Sequence, residues 1–189
     1  RSTRGMSSAA SDLYKRQSND GLIQNKINSE SDIIIMKFDR DKSIEWIKNY
    51  GGSRDDRGQS VVEVSGFGYA LLGYSMSDDG DASHNEGFHD NWVVMIDSKG
   101  NIVWEKSYGF SGHDHAYNII KTKDENLFFN GFLDVTASRG LGSTEKVEKS
   151  IKHGVGEFWC HKIDLDGNIL WRKYFGCLLY TSDAADDIP

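Results

Sequence analysis

The stretch 90-DNWVVMIDSKGNIVWEKSYGFS-111 (Asp90 to Ser111) decides how this chain is read. An apolar run from Trp92 to Ile96 meets the turn-forming Asp-Ser-Lys-Gly-Asn. A second run follows with Ile102, Trp104 and Tyr108 at alternating places. Two short β-forming runs around a glycine turn predict a hairpin, in which Gly100 takes positive φ at no steric cost. The pattern occurs twice more, as "DIIIMKFDRDKSIEWIKNYGGS" from Asp32 and "EFWCHKIDLDGNILWRKYFG" from Glu157. Trp46, Trp104 and Trp171 fall in register at spacings of 58 and 67 residues. Asp39, Asp97 and Asp164 match, as do Tyr50, Tyr108 and Phe175, and Gly51, Gly109 and Gly176. Trp92 and Trp159 share a second position, so all five tryptophans sit at two places in the repeat.

Internal repeats govern the fold, because each unit buries its apolar face only against a neighbour. Between the hairpins, "GQSVVEVS" and "AYNIIKTK" read as a third strand. "YALLGYSMS" and "LFFNGFLDV" read as a fourth, with Gly73 and Gly131 aligned. A unit of four short antiparallel strands has the size of one β-propeller blade. The expected fold is therefore all-β: a fragment of a β-propeller made of repeated four-stranded antiparallel blades. Apolar residues on both strand faces imply sheets covered on both sides. The repeat divides the chain into residues 18–89 (first blade with flanking loops), 90–156 (second blade with a charged insertion, Ser143 to His153) and 157–176 (start of a third). A closed propeller needs about four to eight blades, so neighbouring blades of the same chain are the expected partners.

The repeat register breaks at both ends. "SSAASDLYKRQ" (Ser7 to Gln17) and "CLLYTSDAAD" (Cys177 to Asp186) resemble translated sequencing adapters, so residues 1–17 and 177–189 are set aside as non-native. The chain carries a net charge of −7, to which the ends add nothing because their charges cancel. An acidic balance argues against nucleic-acid binding, which needs basic surface to neutralise phosphates. No apolar run reaches the ~20 residues that cross a bilayer as a helix. With Cys177 set aside, Cys160 stands alone, which leaves neither an internal disulfide nor a cysteine-based zinc site.

The residues "DNWVVMIDSKGNIVWEKSYGFSG" and "DHAYNIIKTKD" resemble repeats of large secreted or cell-surface proteins of Bacteroidetes-type bacteria. The pattern Asp-x-x-Gly-x-x-x-Trp, at Asp97-Gly100-Trp104 and Asp164-Gly167-Trp171, is similar to quinoprotein-like propeller blades. The first unit departs from it, with Lys42 in the glycine place. The resemblance implies an extracellular or cell-surface protein or lipoprotein and a tryptophan docked between blades. It implies no particular function, because fold does not fix function. The leading expectation is a non-catalytic scaffold or recognition module, not an enzyme, with a glycan or surface protein as partner. A carbohydrate-binding, lectin-like module is the second reading, although the Gln-x-Asp-x-Asn-x-Val-x-Tyr pattern of mannose lectins is absent. A fragment of a quinoprotein-like dehydrogenase is the third. That family's adjacent active-site cysteines have no counterpart beside Cys160.

Candidate sites are few. The strict register of Trp46, Trp92, Trp104, Trp159 and Trp171 among apolar neighbours points to core rather than to sugar stacking. "DLDGN" from Asp164 lacks the acidic twelfth place of a calcium loop, where Phe175 stands. Asp78, Asp79 and Asp81 crowd three carboxylates into one loop, the kind of oxygen cluster calcium takes; no cofactor is expected apart from calcium at this loop. His84 and His89 lie in the same loop as candidate ligands. "GHDHA", Gly112 to Ala116, aligns with "RDDRG", so that Asp55 matches His113, Asp56 matches Asp114 and Arg57 matches His115. The shared residue is the aspartate, which predicts a turn held by side-chain bonds to backbone amides. A zinc site there needs three or four ligands, and the sequence marks no further one.

Overall fold

The computed structural model describes residues 31–110, 112–134 and 156–175. The adapter-like ends, the insertion from Ser143 to His153 and Gly176 lie outside the described residues. Among the described residues there are ten strands and no helix. β1 (Ile33–Phe38) and β2 (Ile44–Tyr50) form a hairpin. β3 (Asp56–Val64), β4 (Gly68–Ser75), β5 (Asp90–Asp97) and β6 (Ile102–Tyr108) form an antiparallel meander. β7 (His115–Lys121), β8 (Leu127–Asp134), β9 (Gly156–Ile163) and β10 (Ile169–Phe175) form a second. Each four-stranded sheet thus joins the third and fourth strands of one sequence unit to the hairpin of the next. The described strands make an open stack of a hairpin and two sheets.

The middle sheet is buried on both faces because alternate residues of its strands point opposite ways. Leu71, Trp92, Val94 and Ile96 pack against Ile33, Ile35 and Tyr50 of the first hairpin. Ala70, Leu72, Val93 and Met95 pack against Ala116, Ile119, Leu127, Phe129 and Ile163 of the second sheet. Such two-sided burial explains the near-continuous apolar run of β5, all eight residues of which are buried or nearly so.

The repeated residues hold one sheet to the next. In each hairpin turn the aspartate side chain accepts two backbone amides: Asp41 and Ser43 onto Asp39, Lys99 and Asn101 onto Asp97, Asp166 and Asn168 onto Asp164. The turn so fixed presents its carbonyls to the preceding sheet. Trp46 Nε1 donates to Ser98 O at 3.2 Å and Tyr50 Oη to Gly100 O at 2.8 Å. One unit on, Trp104 Nε1 donates to Leu165 O at 2.8 Å and Tyr108 Oη to Gly167 O at 2.7 Å. Gly100 and Gly167 have φ of +80° and +77°, and a Cβ on either would lie about 3 Å from the latching side chains. Trp92 and Trp159 are fully buried within their sheets, while Trp46 and Trp104 are partly buried at the junctions. Trp171 and Phe175, the matching residues of β10, are 40% and 57% exposed.

Candidate metal centre at a histidine cluster

The connections into β3 and β7 have the same construction. Asp56 N donates to Ser31 O at 2.9 Å, and Asp114 N donates to His89 O at 2.6 Å. Ser31 and Asp56 stand 58 residues before His89 and Asp114, which is the repeat spacing. Both aspartates are fully buried. Asp56 accepts Gly52 N at 2.7 Å and Ser77 Oγ at 2.8 Å, and also the Ser75 hydroxyl. Asp114 accepts Phe110 N at 2.7 Å and Asp134 N at 3.0 Å. In both units the amide four residues back is bound, as the alignment of "RDDRG" with "GHDHA" predicts. Gly51 and Gly109 lie against buried carboxylates, those of Asp56 and Asp90. Burial, partly opposed by the two amides, pushes the Asp114 carboxyl up to about 7. Burial likewise raises Asp90 to about 7, against the amide of Glu86.

Because the construction repeats, the side chains flanking the aspartate meet those of the neighbouring unit. Asp55 and Arg57 come from the start of β3, and His113 and His115 from the start of β7. The loop from Met76 to His89 delivers His89 between them. Asn85 pins that loop, its Nδ2 donating to Ser75 O at 2.8 Å and Phe88 O at 3.0 Å. Phe88 N also donates to Gly112 O at 3.2 Å.

His89 Nδ1 lies 2.9 Å from His113 Nδ1 and 3.3 Å from His115 Nε2. One ligand atom from each of the three rings falls within 4.8 Å of the others, and no other such group of metal-ligating side chains occurs among the described residues. The opposite nitrogen of His89, Nε2, faces Asp55 Oδ2 at 3.3 Å. Asp55 in turn holds Arg57 at 2.8 Å and accepts the hydroxyl of Ser31. Burial opposes ionisation of Asp55, but the bonds from Arg57 and Ser31 outweigh it and hold the carboxyl below its ordinary value. Burial pushes His89 below its ordinary value against the pull of Asp55. His115 is pushed down to about 4, by burial first and then by the charges of His89, His113 and Arg57. An imidazole coordinates a metal through the lone pair of its unprotonated ring nitrogen. Aromatic faces fix the rings: Tyr74 stacks on His115 at 4.4 Å and Phe88 on His113 at 4.6 Å.

The acidic loop is arranged otherwise. Asp79 Oδ1 accepts Ser53 N at 2.7 Å and Asp81 Oδ2 accepts Gly51 N at 3.2 Å, while Asp78 is exposed. These carboxylates brace the loop after β2 and do not converge on one point. His84 pairs with Glu86 at 2.9 Å on the surface, away from the three clustered histidines. Trp92 and Trp159 present no indole face to a sugar, since both are fully buried. No protein family matches this chain, and no curated protein does.

Proposed function

We propose that this chain is a non-catalytic repeat module, a run of β-propeller-type blades that serves as the scaffold of an exported bacterial surface protein. The observation that carries this reading is the latch made twice over by Trp46 and Tyr50, then by Trp104 and Tyr108, on the turn of the following hairpin. A latch repeated at equivalent residues joins sheets in series, each touching chiefly its neighbours, as in repeat architectures. Trp171 sets the same indole at the equivalent place of β10, 40% exposed, but Phe175 lacks the hydroxyl of Tyr50 and Tyr108, so that face carries one latch donor instead of two.

The experiment pairs stability with binding. The double substitution Trp104→Phe and Tyr108→Phe removes both latch donors and should lower the unfolding free energy by about 1–3 kcal/mol, two hydrogen bonds' worth. Neither this variant nor the parent chain should bind a glycan array. Selective glycan binding by the parent would replace the scaffold reading with the lectin-like one. An unchanged unfolding free energy in the variant would remove the latch as its support.

A further inference from the structure

We propose that His89, His113 and His115 form a binding site for one divalent transition-metal ion, coordinated by Nδ1 of His89, Nδ1 of His113 and Nε2 of His115. The proposal stands apart from the scaffold reading and rests on geometry. Zinc–imidazole bonds of 2.0–2.1 Å in a tetrahedron place ligand nitrogens about 3.3 Å apart. Two edges of the histidine triangle measure 2.9 and 3.3 Å. One ligand atom from each ring already lies within 4.8 Å of the others, so closing the third edge to the tetrahedral spacing asks for at most about 1.5 Å of movement, within reach of side-chain rotation.

The chemistry of the donors selects the metal class. Three imidazole nitrogens suit zinc, cobalt, nickel or copper, whereas calcium and magnesium take oxygen ligands. The carboxylate at the site, Asp55, faces the far nitrogen of His89. A carboxylate on the outer nitrogen of a coordinating imidazole fixes its tautomer and raises its basicity, the usual support of a metal-bound histidine. Asp55 also engages Arg57, which balances that cation beside the site. With three protein ligands, a fourth coordination position is left for water or an exogenous anion.

The repeat shows what the ion would replace. In the first unit the corresponding positions, Ser31 and Asp55, are joined directly by a hydrogen bond and a backbone bridge. In the second unit those positions are His89 and His113, and a metal ion joins them to His115 at the start of β7. The site therefore ties the loop before β5 to the second sheet.

The test uses the full chain, stripped with a chelator and titrated calorimetrically with zinc chloride, with calcium chloride as control. Expected are one zinc ion per chain, a raised melting temperature with zinc and none with calcium, and visible absorption bands of tetrahedral cobalt(II). His113→Gln should weaken zinc at least tenfold, and Asp55→Asn ten- to a hundredfold through the outer nitrogen of His89. His84→Gln and Cys160→Ser should leave affinity unchanged. Each variant is compared by far-ultraviolet circular dichroism. His115 stacks on Tyr74, so if His115→Gln fails to fold, His113→Gln decides. Absence of heat and of any melting shift with zinc, cobalt, nickel and copper would overturn the proposal. So would a folded His113→Gln chain that binds zinc as tightly as the parent.

Discussion

Replacing Gly167 by alanine tests the latch at its tightest point. The perturbation has two parts. An alanine at a φ of +77° pays a left-handed backbone cost of about 1 kcal/mol. Its Cβ also falls 2.9 Å from Lys106 Cδ and 3.0 Å from the Trp104 ring. The lysine can swing aside. The indole cannot move far without losing its 2.8 Å bond to Leu165 O. A lost hydrogen bond costs about 0.5–1.5 kcal/mol, and loosened packing of the ring adds a similar amount. The whole comes to about 2–4 kcal/mol. Gly66 supplies the control: its φ is +83°, and nothing lies within 4 Å of the Cβ it would carry. Gly66→Ala should cost the backbone part alone, about 1 kcal/mol. Urea unfolding followed by tryptophan fluorescence measures both. Equal losses at the two glycines would show that the turn is not clamped by the preceding sheet, and the latch argument would fail.

Asp114→Ala strands the partly buried amides of Phe110 and Asp134 and should cost about 1–3 kcal/mol by denaturant unfolding. Trp92→Ala empties a fully buried site and should cost about 3–5 kcal/mol, while Trp171→Ala, at an exposed position, should cost less than about 1 kcal/mol in the same assay. His161, wholly buried and stacked on Phe129, has its pKa pushed down to about 3 by burial and then by Arg172. Its folded value lies below its unfolded one, so its stabilising effect is complete above about pH 6.5 and is lost as pH falls towards 3, at up to about 1.4 kcal/mol per pH unit. The melting temperature of the parent should fall relative to that of His161→Phe as pH falls over that range. Asp90 and Asp114, raised to about 7, act in the opposite sense in both chains and cancel in the difference.

The hairpins and their turns were legible because their chemistry is local. An aspartate, a positive-φ glycine and alternating apolar residues lie within a dozen positions, and the structure places Asp97, Gly100 and Trp104 in those roles. The phase of the sheets was not legible. A repeat has a period but no origin, and whether β2 or β6 closes a sheet depends on contacts between units. The bond between Asp114 and backbone amides was legible from the aspartate shared with Asp56. The histidine cluster was not, because His89 stands 24 residues from His113 in a loop without periodicity. One signal was present: His89 and His113 occupy the repeat positions of Ser31 and Asp55, and residues that touch in one unit touch in the next.

The latch has a direction. Tryptophan and tyrosine reach from one side of a sheet, and the turn that receives them projects from the next. Two copies related by a two-fold axis would set donor against donor and satisfy neither. Only a head-to-tail arrangement repeats such a heterologous contact, and it ends either in a closed ring or in an open filament. The first hairpin departs from this polarity. Lys42 holds a φ of +65° at the place of Gly100 and Gly167, so this turn carries a side chain where those two carry none. A Cβ at either glycine would fall about 3 Å from the latching side chains, so the Lys42 turn is the least suited of the three to receive a latch.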